Sequence, residues 1–276
     1  MLWLLLACET VDKDTDDTGD TAAGTGEYVV EWSTEPAPPE AGGITTIEAQ
    51  VLGPDGLPVR DLISFHGAFL HTFLIPKDLS AFGHAHQEDD EEVSGEDLDA
   101  ATFHVHAEFP VGGAYLVDFD FARGNDYLSF VDSAEVVGEP MQGDAPVEND
   151  ATSVDGEGLT ASIAWSAAPI AGVEAVWTLH LLDDGGADVT DIVQWGGADA
   201  HVEMVDFAGT SFYHTHAYFP GMADSPPGHD MPHVYPGPDI EFHYVFPAAG
   251  RYRMWIQFAR ESVEEEFTLP FDVLVG

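Results

Sequence analysis

The sequence contains few of the residues on which many binding and catalytic functions depend. Cys8 is the single cysteine, so no disulfide can form within the chain. Lysine and arginine together number 7 against 51 acidic residues, and the net charge of −44 repels nucleic acid phosphates and anionic membranes. The sequence has no Ser-His-Asp arrangement, glycine-rich phosphate loop or Cys-x-x-Cys motif. We therefore expect neither nucleic-acid binding nor enzymatic activity.

The first eight residues resemble the signal of a bacterial lipoprotein. Leu-Leu-Ala-Cys, ending at Cys8, is similar to the lipobox in which the cysteine is lipidated and becomes the mature N-terminus. The resemblance implies a periplasmic, outer-membrane or cell-surface lipoprotein of a bacterium, held to the membrane through its lipid anchor only. The alternative is an incidental apolar terminus with a free cysteine. No later apolar run approaches the roughly 20 residues of a spanning helix.

Two acidic stretches divide the rest of the chain into two domains. Residues 9–27 contain too few apolar residues to order themselves and are predicted to be a disordered tether. Residues 140–157 lose apolar content again and are predicted to link a domain at 28–139 to a second at 158–276. Both domains have a common domain size. The acidity fits either solubility in a saline habitat or recruitment of cations.

Short β-type patterns fill both predicted domains. Residues 44–52 have the β-branched content of a strand, and the turn signal Pro54-Asp55-Gly56 follows them. Residues 114–121 alternate between apolar and other positions, and residues 251–258 repeat this alternation. Convincing helical periodicity is scarce. Several short strands with frequent turns predict an all-β fold of two tandem immunoglobulin-like β-sandwiches.

The chain contains an internal repeat in which histidines are conspicuous. Residues 55–86 align without a gap on residues 185–216, and residues 106–123 align on residues 243–260. A repeat of this length indicates two copies of one folding unit. Each copy carries one histidine, a His-x-His pair and a fourth histidine before Phe-Pro, namely His71, His84, His86 and His106 in the first copy and His201, His214, His216 and His243 in the second.

The matched histidines predict a metal site in each copy. Residues i and i+2 of a strand point to the same side, so each His-x-His pair presents two imidazoles to one face. Two further imidazoles from neighbouring strands would complete a site, with His104 and His66 as reserve ligands in the first copy. Neutral imidazole suits zinc, copper and nickel. The alternative is a non-catalytic surface or interaction protein whose histidines are structural.

The second copy is about seven residues longer between its His-x-His pair and its fourth histidine. The longer stretch holds Met222, His229, Met231 and His233 among prolines. Thioether sulfur is a soft ligand that favours Cu(I). Copper is therefore the predicted metal, with zinc as the alternative, and we expect the second copy to bind Cu(I) more tightly than the first. Alternatively, the two methionines cover apolar surface.

The first copy resembles a family of bacterial periplasmic domains. Three segments are similar to the immunoglobulin-like domains of YtkA-like and related modules that occur among heavy-metal-resistance proteins. They are Asp-Gly-Leu-Pro-Val-x-Asp-Leu at 55–62, the segment 71–86 and Phe-Pro-x-x-Gly-x-Tyr at 109–115. The resemblance implies copper binding, storage or delivery, with a metal-transport or resistance protein as partner.

A second resemblance implies a redox enzyme. Phe-His-Val-His-Ala-Glu-Phe at 103–109 is similar to the copper-ligand strand of the copper/zinc superoxide dismutases. The disulfide of that family is impossible with one cysteine. Metal binding without catalysis is therefore the function that we expect from the sequence.

Overall fold

The computed structural model describes residues 22–23, 28–124, 126–141, 153–156, 158–195, 198–209, 212–217 and 235–276. The lipobox, most of the acidic tether and most of the predicted interdomain linker lie outside these ranges. Strands form nearly all of the regular structure, which confirms the predicted all-β class with two tandem β-sandwiches. Within the described residues, no helix has the length and apolar character needed to cross a membrane.

The first copy is a sandwich of two sheets. In chain order its elements are β1 (Ala22–Ala23), β2 (Val29–Glu35), β3 (Ile44–Leu52), β4 (Leu62–Ile63), β5 (Leu70–Pro76), β6 (Gly83–Ala85), a 3₁₀ turn (Gln87–Asp89), α1 (Gly95–Ala100), β7 (Thr102–Glu108), β8 (Gly113–Arg123) and β9 (Asp126–Val136). One sheet has the order β2-β3-β7. The other has the order β1-β9-β8-β5-β6, with β4 also pairing with β8.

The short helix α1 was not predicted from the sequence, although its start carries a local signal. The Ser94 hydroxyl accepts a hydrogen bond from the Asp97 backbone N–H, and the Asp97 carboxylate accepts one from the Ser94 backbone N–H. This reciprocal arrangement is a capping box. It lies within an acidic loop whose low apolar content conceals the helix from a search for periodicity.

The second copy repeats the two-sheet arrangement. Its strands are β10 (Ser153–Gly156), β11 (Leu159–Trp165), β12 (Glu174–Asp183), β13 (Ile192–Val193), β14 (His201–Asp206), β15 (Phe212–His216), β16 (Asp239–Val245), β17 (Gly250–Arg260) and β18 (Val263–Val275). One sheet has the order β10-β11-β12-β16. In the second sheet, one edge of β17 pairs with β18, and its opposite edge pairs with both β14 and β13. β15 then pairs with β14.

Each sandwich encloses its own apolar core. In the first copy, Tyr115, Val117, Phe119 and Phe121 of β8 are completely buried, which confirms the apolar face predicted from the alternation. They pack in one cluster with residues of the opposite sheet such as Phe103. In the second copy the corresponding cluster is built around residues such as Trp177, Phe242, Ile256 and Phe258. Two separate cores account for the two folding units that the repeat predicts.

The two sandwiches pack against each other through their β5–β8 and β14–β17 sheets. A third apolar cluster spans both copies, with members such as Phe73 and Leu116 from the first and Phe212 and Trp255 from the second. The rings of Phe73 and Phe212 are 4.9 Å apart. The strands β5, β8, β14 and β17 are consequently buried on both faces over most of their length. We call this contact the copy interface.

Candidate metal centre

Histidines from both copies meet in the copy interface beside its apolar cluster. The ring centroids of His71 and His214 are 6.2 Å apart, and those of His84 and His201 are 6.3 Å apart. The rings of His66 and His216 stack at 3.7 Å. The whole group consists of His66, His71, His84 and His86 from the first copy and His201, His214 and His216 from the second.

Three of these residues form the first triad. His71 lies on β5, His84 lies on the paired strand β6, and His86 follows β6 immediately. Nδ1 of His71 is 3.2 Å from Nε2 of His84 and 2.9 Å from Nε2 of His86. The three ligand atoms all lie within 4.8 Å of one another, so the triad can hold a metal ion.

The second triad uses the equivalent residues of the second copy. His201 on β14 is in register with His216 on the neighbouring strand β15, which also carries His214. Nε2 of His214 is 3.4 Å from Nδ1 of His201 and 2.6 Å from Nε2 of His216. These atoms also lie within 4.8 Å of one another, so the second triad can likewise hold a metal ion. The same ring nitrogens face the centre in both triads.

In the first triad, the ring nitrogen of each imidazole that points away from the centre has an oxygen atom as its hydrogen-bond partner. His71 donates from Nε2 to the Phe65 carbonyl oxygen at 3.0 Å. His86 donates from Nδ1 to Oδ1 of Asp89 at 3.1 Å, and His84 donates from Nδ1 to Oε1 of Gln257 at 2.9 Å. A neutral imidazole has only one N–H, so the remaining nitrogen of each ring turns a lone pair toward the centre. Metal-binding histidines typically have such partners on their second nitrogen.

Gln257 belongs to the second copy, and its own contacts determine which way its amide points. Its Nε2 donates to Oε1 of Glu266 and, at 3.3 Å, to Oγ1 of Thr268. A carboxylate oxygen only accepts hydrogen bonds, so the amide nitrogen must face Glu266 and the amide oxygen must face His84. The second copy therefore helps to set the tautomer of a histidine in the first triad.

The second triad has partly equivalent surroundings. His201 donates from Nε2 to the Trp195 carbonyl oxygen at 2.9 Å, as His71 does to Phe65. Nδ1 of His214 lies 3.1 Å from Oε1 of Glu203, at an angle outside that of a hydrogen bond. Glu203 is completely buried. A carboxylate in this position can neutralise part of the charge that a bound cation would bring.

Burial favours the neutral form of five of the six triad imidazoles. It lowers the pKa of His71, His84, His214 and His216 well below the ordinary value of 6.5, and it lowers the pKa of His201 to about 4. Desolvation of the charged ring is the largest cause, and neighbouring imidazoles add to it because two charged rings would repel each other. Neutral imidazole is the form that binds a metal ion.

Buried carboxyl groups accompany the triads in the copy interface. Asp118 and Asp120 on β8 are each 1% exposed, and Asp118 accepts a hydrogen bond from Ser129 Oγ at 2.7 Å. Desolvation raises the pKa of both groups, and that of Glu203, above their ordinary values. The charge of Asp118 raises the pKa of Asp120 further. These groups provide negative charge close to the histidines when they ionise.

The prediction of four-histidine sites with His106 and His243 was wrong. His106 is exposed and lies 3.2 Å from Oδ2 of Asp90, and His243 lies 3.3 Å from Glu174 and 3.1 Å from Glu241. The reserve ligand His104 instead lies 3.4 Å from Glu48. The reason is that β7 and β16 belong to the sheets on the far side of each apolar core. Their outward side chains cannot reach the copy interface.

The remaining predicted sites fall outside the described residues. They are the lipidation site Cys8 and the proposed soft ligands Met222, His229, Met231 and His233. The roles assigned to them stay predictions. The two methionines that the structure buries completely, Met204 and Met254, are members of the second apolar core.

Sequence reasoning missed several residues around the triads. It placed His66 beside the first triad, whereas the structure places it against His216 of the second. It also missed Glu203 and Gln257. A signal was available in the repeat, because Glu203 aligns with Phe73 and Gln257 aligns with Asp120. The first pair exchanges an apolar for a charged residue and the second a charged for a neutral polar residue, and such exchanges at aligned strand positions mark the face on which the two copies differ.

One protein family matches the chain, and it does so twice. The family described as "Domain of unknown function (DUF8832)" matches residues 22–136 and again residues 152–276. The two matches coincide with the two sandwiches of the structure. No curated protein matches the sequence.

Solved structures resemble the chain only distantly. Latent PorU of Porphyromonas gingivalis matches 91% of this chain at 13% identity with a TM-score of 0.28, and the chain spans 20% of PorU. The match to the FN1–FN3 domains of chicken CNTN1 covers 84% of this chain and 64% of the CNTN1 chain, at 7% identity and a TM-score of 0.22. MtrC of Shewanella baltica matches 88% of this chain and 68% of its own at 8% identity and a TM-score of 0.22. Likenesses at these scores imply nothing about function.

Proposed function

Since the chain belongs to the DUF8832 family, whose description assigns no activity, we propose its function from the geometry of the triads. We propose a non-catalytic metal-binding protein that holds two transition-metal ions in the copy interface, one in each triad. Copper is the metal that we put first, and zinc is the alternative. The protein would bind and store these ions or deliver them to a transport or resistance protein.

One observation carries this proposal. In the first triad, all three imidazole N–H groups are committed to oxygen acceptors outside the centre, and the Nδ1 lone pair of His71 faces the Nε2 lone pairs of His84 at 3.2 Å and of His86 at 2.9 Å. Lone pairs at this separation repel each other unless a proton or a cation lies between them. The pKa of His71 and His84 is lowered, which disfavours the proton. A metal ion relieves the repulsion and retains every hydrogen bond behind the ligands.

The choice of metal follows from the ligand set. The triads present imidazole nitrogen only, which suits zinc, copper and nickel and disfavours calcium and magnesium. Among divalent ions, the affinity of a nitrogen site rises to a maximum at copper. Buried carboxyl groups in the same interface would balance part of the positive charge.

The proposal also includes the location inferred from the sequence. A lipid on Cys8 would anchor the protein on the periplasmic side or at the surface of a bacterial cell, with the acidic stretch 9–27 as a tether. The lipobox resemblance supports this part, and it does not depend on the metal sites.

The test measures metal content and affinity in the full chain. We expect two ions per chain after reconstitution with copper and removal of loosely bound metal, measured by elemental analysis. His84→Ala should retain one ion and His214→Ala should retain the other. His106→Ala and His243→Ala are matched controls, because these repeat histidines lie outside the triads, and both should retain two ions. A wild-type chain without tightly bound metal would leave the structural role of the histidines as the better account.

A further inference from the structure

His66 occupies a tight turn that places it between the two triads. Phe65 and Ala68 exchange two backbone hydrogen bonds of 2.9 and 3.2 Å around His66 and Gly67. The φ angles of His66 and Gly67 are both positive, at 47° and 86°, as in a type I′ turn. Asn is the preferred residue before Gly in such a turn, so His66 is unusual there. The Phe65 carbonyl oxygen of the same turn accepts the hydrogen bond from His71 of the first triad.

The His66 side chain reaches across the copy interface to the second triad. It is 3% exposed, and its ring centroid is 3.7 Å from that of His216 and 5.8 Å from that of His201. The rings of four imidazoles around one tetrahedral ion are about 5 Å apart, given metal–nitrogen bonds of about 2.0–2.1 Å. The two observed distances lie on either side of this value. Because the two rings are stacked at an interplanar angle of 30°, His66 would reach an ion in the second triad by turning its ring off the face of His216.

The second copy has no histidine at the position that aligns with His66. In the second copy, Trp195 and Ala198 exchange the same two backbone hydrogen bonds. The residue that aligns with His66 is Gly196, which has no side chain. Trp195 itself approaches the first triad, with its ring 5.4 Å from His84. Its indole has no lone pair to offer a metal ion.

We propose that His66 supplies a fourth ligand to the second triad from the first copy, while the first triad keeps an open coordination position. The inference rests on the proposed function, since it concerns ions in the same two triads. Four imidazoles form a closed site of the kind that retains an ion. Three imidazoles leave a position at which a small anion, or a donor atom of a receiving protein, can bind before the ion is transferred. The first site would then exchange its ion and the second would keep it.

The test uses the full chain loaded with Cu(II), and the variant is His66→Asn. Asn-Gly is the preferred pair for this turn, so the variant retains the local fold while it removes the imidazole. Azide is the probe, because it binds an open coordination position more tightly than a site already filled by four imidazoles, and its copper complex is coloured. We expect one azide per wild-type chain and two per His66→Asn chain. We also expect the variant to bind one of its two ions at least about tenfold more weakly, with the other unchanged.

His104→Asn is the matched control, since His104 is a half-exposed histidine of the far sheet, and it should behave as wild type. One azide and two unchanged affinities in His66→Asn would overturn the inference and leave the proposed function intact. Failure of the wild-type chain to bind two ions, which is seen before azide is added, would overturn both.

Discussion

His84 in the first copy donates a hydrogen bond from Nδ1 to Oε1 of Gln257 in the second copy, across 2.9 Å. Because Glu266 and Thr268 hold the amide nitrogen of Gln257, this oxygen cannot turn away. The geometry of the first triad therefore depends on both copies. A single copy of the repeat could not reproduce this contact, although the three histidines of each triad come from one copy.

Removing the Gln257 acceptor should weaken the first site selectively. In Gln257→Met, the His84 ring loses the partner that directs its Nε2 lone pair to the centre, so the affinity for one ion should fall about 10–100-fold. The second ion should be unaffected. Competition titration with a copper chelator measures both affinities. Gln50→Met, in the far sheet, is the control and should change neither. Equal weakening of the two ions would contradict the assignment of Gln257 to the first site.

The metal-free protein should lose stability as the pH falls from about 6.5 toward about 4. Burial lowers the folded-state pKa of five histidines, and for one of them, His201, it lowers the pKa to about 4. In the unfolded chain the same histidines have a pKa near 6.5. In this window the unfolded chain binds protons that the folded chain does not, so acid favours unfolding. Each such proton changes the free energy of unfolding by about 1.4 kcal/mol per pH unit.

The buried carboxyl groups act in the opposite direction on this pH profile. Burial raises the folded-state pKa of Asp118, Asp120 and Glu203, so their contribution is fully present below about pH 4 and is lost as the pH rises. The five histidines outnumber them, so the free energy of unfolding should still increase with pH between about 4 and 6.5. Urea unfolding in the presence of a chelator measures it. A profile that is flat or falls over this range would show that the carboxyl groups dominate.

Glu203→Gln should have opposite effects on the metal-free and metal-bound protein. Burial of Glu203 makes ionisation costly, so the variant should be more stable than wild type by about 1 kcal/mol or more at pH 8, and the difference should vanish below about pH 4.5. The affinity of the second site should fall, because His214 loses a negative charge 3.1 Å away. Thermal unfolding with and without copper measures both effects. Glu174→Gln, an exposed glutamate, is the control; a metal affinity equal to wild type in Glu203→Gln would exclude this role.

The methionines of the second copy should affect Cu(I) more than Cu(II) or zinc. Met222→Leu combined with Met231→Leu should reduce the Cu(I) affinity of the second copy and leave its zinc affinity unchanged, because thioethers bind soft ions. Competition titrations under reducing conditions provide the comparison. If the Cu(I) affinity is unchanged, these methionines do not bind the metal and instead cover apolar surface.

The lipid anchor should make membrane association depend on Cys8. In the bacterial host, the wild-type protein should fractionate with membranes, and Cys8→Ser should release it or block its processing, because the proposed acyl chains provide the anchor. Mass spectrometry of the native protein determines whether Cys8 is modified. An unmodified Cys8 would exclude the anchor and would not affect the proposed metal sites.

The sequence by itself determined the strands, the repeat and the histidine pairs. Alternation in β8 predicted which face packs in the core, because a strand places successive side chains on opposite sides. The aligned histidines predicted the three members of each triad together with a fourth, His106 or His243, that does not join them; the three depend on strand pairing within one copy. Local features and repeated segments can both be recognised from the amino-acid sequence alone.

Only the tertiary structure decided which faces of the strands meet. The alternation in β8 leaves Asp118 and Asp120 on the side that would normally face solvent, yet the second sandwich covers them. The two-sheet arrangement within each copy separates His106 and His243 from the triads, and the packing of the two copies brings His66 to His216 and places Gln257 behind His84. Contact between two folded sheets depends on the shape of both surfaces and leaves no periodic signal in either sequence segment. The partners that a triad receives from the other copy therefore depend on the packing of the two copies.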